Sequence, residues 1–379
     1  MRIPIMKGIL SLLYPTILVC AYDYPFQFAP TGFWLTNQSL SYAAPKPLKY
    51  QHWFHNSRPQ VKTISDGACN LSLAAYLGDA TARETLGPVN SYCWTHSNCI
   101  LATVNPSILQ SFASASILLG LMPTILSMLG PSVAETALLS LERPLLSLLI
   151  SLGAPALFPM RFLIWVDPLG AKNPKAGAWI ISCNSRHWKI VLSIAQYVLA
   201  GAAVVVNFYT AWSLGVNTVL VWFCDLSYWP VLWVSLGTVT HILEVLSLRV
   251  SRLSEVSENK TRAFSSRVFF FLRREFTPTA FSKPEDFKVK ISPLAVLLQY
   301  FGAIAALLHL VFGTALFSSL LYIGNQGAMS VFGRFGAAAI VSRVILHFEI
   351  SGMIDQDKIQ QRLIKGIVQS DGESEERDM

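Results

Sequence analysis

The sequence predicts a mainly α-helical, polytopic membrane protein with a small disulfide-containing ectodomain near its N-terminus. Of its 379 residues, 53% are hydrophobic and only 13% are charged, whereas soluble domains carry roughly 25% charged residues. The mean hydropathy is +0.46. This composition excludes a disordered chain and disfavours an ordinary soluble enzyme. The net charge of +7 lies mainly between apolar stretches, so we interpret it as positively charged membrane loops rather than as a nucleic-acid-binding surface.

Residues 1–21 are predicted to be a secretory signal peptide. Arg2 and Lys7 precede an apolar run over residues 8–20, and Val19 and Ala21 are the small residues at the expected cleavage site. The alternative is an uncleaved signal anchor, although about 13 apolar residues are too few to span a bilayer comfortably.

Residues 22–106 are then expected to form an extracellular or luminal domain. Two glycosylation sequons lie in this segment, at Asn37 and Asn70. Three cysteines, Cys69, Cys93 and Cys99, would share this oxidising compartment and predict a disulfide bond. Either Cys93 pairs with Cys99, or Cys69 pairs with one of them. The odd number leaves one thiol that is free or pairs with another chain.

A zinc site at the same cysteines is the weaker interpretation. Cys93, His96 and Cys99 have a suggestive spacing. They lack a fourth ligand, and an oxidising compartment favours disulfides. We therefore expect no metal and no cofactor.

Residues 107–350 are predicted to form the transmembrane helical domain. Apolar stretches long enough to cross a bilayer indicate five spans, at about 108–129, 190–212, 219–246, 293–323 and 328–346. The last is the least regular, because Arg334 and Arg343 interrupt it, and an interfacial helix is its alternative.

The segment 132–158 is predicted to lie in the interface or to enter the membrane as a re-entrant hairpin. It begins with a capping box at Ser132 and Glu135. A true span would place Glu142 and Arg143 near the bilayer centre, where unpaired charges cost several kcal/mol. The alternative is a span in which both charges are paired.

The orientation supports the same interpretation of this segment. Residues 249–290 contain ten basic and five acidic residues, so we expect a cytoplasmic loop over 247–292 that binds anionic lipid. The basic segment 161–189 is assigned to the same side. Because the signal peptide places residues 22–106 outside, 131–160 must cross an even number of times. The acidic segment 351–379 is predicted to be a cytoplasmic tail.

Ionisable residues at membrane depth are the remaining candidates for function. They are Asp225, His241, Glu244, His309, Arg334, Glu142 and Arg143. The plain interpretations are a hydrated Asp225, a contact between His241 and Glu244 near the inner end of a helix, and a neutral, helix-bonded His309. Arg334 is expected to be an anchor near the outer headgroups. Nucleotide-binding, zinc-protease and serine-hydrolase motifs are missing, which favours a non-enzymatic protein.

Two blocks of the sequence carry a family resemblance. The first is CNLSLAAYLG over residues 69–78, and the second includes LGLMPTILS over 119–127, LGPSVAE over 129–135 and RPLL over 143–146. In these blocks the chain resembles a group of uncharacterised multi-pass membrane proteins of filamentous fungi. The resemblance covers residues 69–160 well and the later spans loosely. It implies an architecture and a fungal source, but no chemistry.

Three functions are left open by the sequence. The first is a receptor-like or scaffolding protein whose ectodomain binds a protein partner. The second is a transporter or channel that uses His309, Asp225 and Glu142. The third is a membrane-embedded lipid-modifying enzyme. In each case we expect a location in the plasma membrane or an endomembrane of the secretory pathway.

Overall fold

The computed structural model describes residues 49–156, 186–256, 275–279 and 293–351. The predicted signal peptide, the sequon at Asn37, most of the predicted cytoplasmic loop and nearly all of the acidic tail lie outside these residues. The described part is almost entirely helical and contains one pair of two-residue strands.

Five helices are long and apolar enough to cross a membrane. They are α5 (Pro106–Leu129), α8 (Arg186–Asn217), α9 (Trp229–Val256), α10 (Pro293–Ser318) and α11 (Asn325–Ser351). The shortest has 24 residues and is therefore about 36 Å long, more than the ~30 Å hydrocarbon core requires. The predicted multi-pass helical architecture is confirmed at this level.

The third and fourth spans have different boundaries from those predicted. The third helix begins at Trp229 rather than near residue 219, because residues 219–220 form strand β1 (Val219–Leu220) and a loop follows. The fourth helix ends at Ser318 rather than near 323, because strand β2 (Leu320–Leu321) follows it. The two strands pair antiparallel, with Val219 opposite Leu321. Hydropathy marks these strands as apolar but cannot tell a short buried strand from the end of a helix.

Four short helices form a head, which we define as residues 49–105. They are α1 (Arg58–Asp66), α2 (Asn70–Leu77), α3 (Ala80–Leu86) and α4 (Tyr92–Thr103). Side chains of the head share one hydrophobic core with Val219, Cys224 and Tyr322. The loops that follow α8 and α10 therefore pack against the head.

Two short helices follow α5. They are α6 (Val133–Ser140) and α7 (Pro144–Gly153), and their 8 and 10 residues give lengths of about 12 and 15 Å. Neither is long enough to cross a bilayer. The capping box predicted at Ser132 and Glu135 opens α6, with each residue bonded to the other's backbone N–H.

The chain divides into two compact units, and five of its helices contribute residues to both. The first contains Met1–Leu126, Val205–Ser235 and His309–Ala338, and the second contains Ser127–Val204, Leu236–Leu308 and Ala339–Met379. The first unit holds the head, the start of α5, the end of α8, the start of α9, the end of α10 and the start of α11.

Candidate functional site

A fully buried polar site in the second unit is centred on Arg143. Arg143 lies in the break between α6 and α7, and its side chain is fully buried. We call this site the Arg143 cluster; its members come from the break, from α8, from residues 275–279 and from the end of α11. They are Arg143, Ser193, Gln196, Tyr197, Glu275, Thr279 and Glu349.

Arg143 donates hydrogen bonds in four directions. Its Nη1 donates to Glu349 Oε1 at 2.8 Å and to Gln196 Oε1 at 2.7 Å. Its Nη2 donates to Ser193 Oγ at 2.8 Å, and its Nε donates to the backbone oxygen of Glu275 at 2.7 Å. A buried guanidinium is tolerated only when it is paired and its donors are used. The geometry therefore fixes Arg143 as a cross-link between distant parts of the second unit.

Glu349 is the counter-charge of Arg143. Both side chains have 0% exposure, and the pair is a salt bridge of 2.8 Å. The other carboxylate oxygen of Glu349 accepts from the backbone N–H of Thr279 at 2.8 Å and from its hydroxyl at 2.6 Å. Gln196 Nε2 donates to Glu349 Oε1 as well. The carboxylate is thus held by one charged and three neutral donors.

Glu275 joins the same site at the start of α7. Its Oε1 accepts from the backbone N–H of Leu146, in the first turn of α7, at 3.0 Å, and from the Tyr197 hydroxyl. The N-terminus of α7 has no capping side chain of its own, so Glu275 supplies the missing acceptor. The side chain is fully buried, and its Oε2 has no hydrogen-bond partner.

The sequence pointed to Arg143 but not to its partner. A pair of Glu142 with Arg143 was one expectation, whereas the salt bridge runs to Glu349, 206 positions away. Glu349 lies just beyond the predicted end of the last span, and Glu275 falls inside the predicted cytoplasmic loop. A signal was present, since Glu349 lies near the end of a long apolar helix. A local sequence pattern does not show which helix faces Glu349 packs against.

His241 and Glu244 lie three residues apart on α9 but bind different partners. His241 Nδ1 lies 3.3 Å from Thr136 Oγ1, and its Nε2 lies 3.5 Å from Ser147 Oγ. Glu244 Oε1 accepts from Gln299 Nε2 at 3.3 Å. Both side chains are buried. They therefore connect α9 to α6, α7 and α10 within the second unit, and no hydrogen bond joins them.

His309 contacts Trp233 of the neighbouring helix α9. Its ring stacks on that of Trp233 at 5.0 Å, in the first unit. His309 Nε2 donates to the Trp233 backbone oxygen at 2.8 Å, and Trp233 Nε1 donates to the His309 backbone oxygen at 3.2 Å. A Cβ at Gly313 would lie 2.3 Å from Trp233 Nε1, so this glycine permits the close approach of α9 and α10.

Asp225 is exposed in the loop between β1 and α9 instead of lying within a helix, as its hydrated interpretation allows. Arg334 lies within α11 and is only 7% exposed. Glu142 is half-buried beside Arg143.

Two disulfides tie the head together. One joins Cys69 to Cys99, and the other joins Cys93 to Cys224. The expectation that one of three thiols would be free or intermolecular is wrong, because the loop after β1 supplies a fourth cysteine. That loop was assigned to a transmembrane span, which hid Cys224.

His96 is a buried structural residue of the head and not a metal ligand. Its Nε2 lies 3.0 Å from Ser65 Oγ and its Nδ1 lies 2.9 Å from Ser72 Oγ. Burial lowers the pKa of His96 to about 4, so the ring is neutral at pH 7. No group of three metal-binding side chains occurs in the described residues. Asn70 is exposed at the start of α2, whereas Ser72 of its sequon is buried against His96.

Lys49 joins the head to the end of α8. Its buried ammonium donates to the backbone oxygens of Gly215 and of Thr218, the latter at 2.6 Å. The Gly215 carbonyl lies in the last turn of α8 and the Thr218 carbonyl directly follows the helix, where a cation is favourable. Burial lowers the pKa of Lys49 to about 8, and the negative charge of Asp225 opposes this shift.

An open groove of about 460 Å³ lies on the outer face of α1. It is lined by His55, Arg58, Pro59, Lys62, Thr63 and Asp66. All of these side chains are exposed, so the groove belongs to the accessible surface of the head.

The fold and these sites define the class as a multi-pass helical membrane protein with a disulfide-linked head. No family model, no curated protein and no solved structure matches the chain. The resemblance to fungal membrane proteins therefore stays a prediction.

Proposed function

We propose that the protein is a receptor-like or scaffolding membrane protein whose head is the binding module. The observation that carries this proposal is the attachment of the head to the ends of the membrane helices. The disulfide Cys93–Cys224 binds α4 to the loop before α9, and Lys49 binds the end of α8. A head held in this way is presented in one fixed orientation, as a binding module requires.

The buried ionisable groups support a structural use of the membrane helices. Arg143, Glu349 and His309 are bonded to protein groups. Satisfied buried polar groups fix which helix faces meet.

The test is a site-specific photo-crosslinker placed at Thr63 on the groove, in intact cells. The expected result is one discrete protein adduct that Arg58→Glu abolishes. The matched control places the crosslinker at Val198, which is 63% exposed on α8 and should yield only lipid adducts. Arg249→Glu controls for a change of net charge. Absence of an adduct from Thr63 and other exposed head positions would count against the proposal.

Proton-coupled transport is the second candidate, and Glu275 favours it. A fully buried carboxylate with one unpartnered oxygen, beside the break between α6 and α7, resembles the arrangement at broken helices that carry ions. The test is proton uptake into vesicles that contain the purified chain, with Glu275→Gln as the variant. Flux that disappears in the variant while the fold is kept would favour transport over the first proposal.

A lipid-modifying enzyme has less support. It would require a histidine and a carboxylate acting together. In the described part of the chain, neither His241 nor His309 bonds to a carboxylate.

A place in the secretory pathway is part of the same proposal, since its two disulfides form in an oxidising compartment. The fungal source, the glycans at Asn37 and Asn70, and anionic lipid at 249–290 are proposed with it. Treating the protein that has passed through the secretory pathway with a glycosidase tests directly whether the two sequons carry glycans.

A further inference from the structure

The second half of α11 has an exposed face that is both basic and apolar. Ile340 and Val344 are 46% and 50% exposed, and the Arg343 side chain is 48% exposed. His347 is exposed one turn further on. Residues at these spacings lie on one side of a helix. Two basic groups therefore lie among apolar side chains on the outer surface of a predicted span.

Arg343 lies in the C-terminal part of α11, at a depth that corresponds to a membrane boundary if α11 crosses the bilayer. It follows Asn325, the first residue of α11, by 18 positions, which corresponds to about 27 Å. The hydrocarbon core is about 30 Å thick, so a long side chain at this depth reaches the headgroups. Arg343 Nη1 also donates at 2.6 Å to the backbone oxygen of Gly130, directly after the end of α5.

The guanidinium of Arg343 retains unused hydrogen-bonding capacity. The nearest acidic oxygen is Glu135 Oε2 at 3.8 Å, which is too far for a hydrogen bond. That oxygen already accepts from the backbone N–H of Ser132. Within the described residues, Nε and Nη2 of Arg343 make no hydrogen bond. A planar fork of free N–H donors matches the oxygens of a phosphodiester.

We propose that Arg343 and His347 bind the phosphodiester headgroup of an anionic phospholipid in the leaflet at the C-terminal end of α11. Ile340 and Val344 flank the two basic groups and would contact the acyl chains of the same lipid. A free phosphate ion would make no contact with these apolar side chains, which is why we assign the site to a lipid. The site is independent of the binding role proposed for the head.

The experiment compares the retention of phosphatidylserine by the purified full-length chain in nanodiscs, measured by native mass spectrometry against phosphatidylcholine. We expect Arg343→Gln to lower selective retention about fivefold, because one basic group near an anionic surface contributes about that factor. His347→Gln should lower it too, and Arg343→Lys should restore part of it. Circular dichroism and thermal melting establish that each variant is folded.

Lys62→Gln is the matched control. Lys62 is exposed on α1 of the head, outside the long apolar helices and outside the basic segment 249–290. Its removal changes the net charge equally and should leave retention unchanged. Equal losses from Lys62→Gln and Arg343→Gln, or a loss from Lys62→Gln alone, would overturn the proposal. Full competition by inorganic phosphate would overturn it as well, since it would indicate a free anion site.

Discussion

Breaking the salt bridge between Arg143 and Glu349 should destabilise the fold mainly because it leaves buried polar and charged groups without partners. The change is Arg143→Met, which preserves the approximate volume of the side chain. It deprives Ser193 Oγ, Gln196 Oε1 and the Glu275 backbone oxygen of their donors. It also leaves the carboxylate of Glu349 buried without its counter-charge.

The expected cost follows from these losses. Each neutral acceptor left without its donor costs about 1 kcal/mol, and the unpaired carboxylate adds to that. The total agrees with the range of about 3–5 kcal/mol for breaking a buried ion pair. The unfolding equilibrium should therefore shift by roughly two to four powers of ten.

The double variant provides the internal test. In Arg143→Met with Glu349→Gln, the new side-chain carbonyl still accepts from Thr279, and rotation of the Gln196 amide lets the Gln196 oxygen accept from the new amide N–H. We expect this variant to cost less than about 2 kcal/mol, so the coupling free energy should be about 3 kcal/mol or more.

The assay is equilibrium unfolding in mixed micelles, followed by tryptophan fluorescence, with Arg249→Met as the exposed control. The control should change stability by no more than about 0.5 kcal/mol. Additive costs of the two single variants, or a cost below about 1 kcal/mol for Arg143→Met, would refute this account of the cluster.

Three further predictions concern the first unit. Cys93→Ser opens a loop of 131 residues and Cys69→Ser opens one of 30. The chain-entropy relation gives upper limits of about 5 and 3.6 kcal/mol for the stability that each variant loses. Cys93→Ser should therefore lower the melting temperature more than Cys69→Ser does. Gly313→Ala should destabilise by about 1–3 kcal/mol, because its Cβ would overlap a tryptophan ring; Gly333→Ala, where a Cβ meets open space, should be neutral in the same melts. His96 has a pKa of about 4 in the folded head against its ordinary 6.5, so the unfolded chain takes up the proton first as pH falls. Head stability should thus be greatest above pH 6.5 and decrease between pH 6.5 and 4, and a pH-independent rate of head proteolysis over that window would contradict the assignment.

The head shows which structural features local sequence patterns can predict and which they cannot. The sequence identified three of its cysteines and predicted that they form a disulfide. It missed Cys224, because the apolar residues Val219 and Leu220 were taken as the start of the third predicted span, which made the loop look like a helix. Their pairing with β2 depends on residues about 100 positions away, and no window of local hydropathy contains that information.

The Arg143 cluster shows the same limit. The cost of placing an unpaired charge in a bilayer correctly marked Arg143 as unusual and favoured a segment that does not cross. The partner was sought at the neighbouring Glu142, because sequence proximity is the only distance a sequence provides. Glu275 and Glu349 come from segments that composition assigned to a loop and to the edge of a span.

By itself, the sequence determined that this chain is a helical membrane protein with five long apolar helices. Hydrophobicity and helix length are local properties, and the bilayer imposes both on any spanning segment. The tertiary structure decided the partners: Arg143 with Glu349, Cys93 with Cys224, and His309 with Trp233. Those choices depend on which helix faces meet and at what depth, because a buried polar group persists only where packing brings its partner within hydrogen-bond distance.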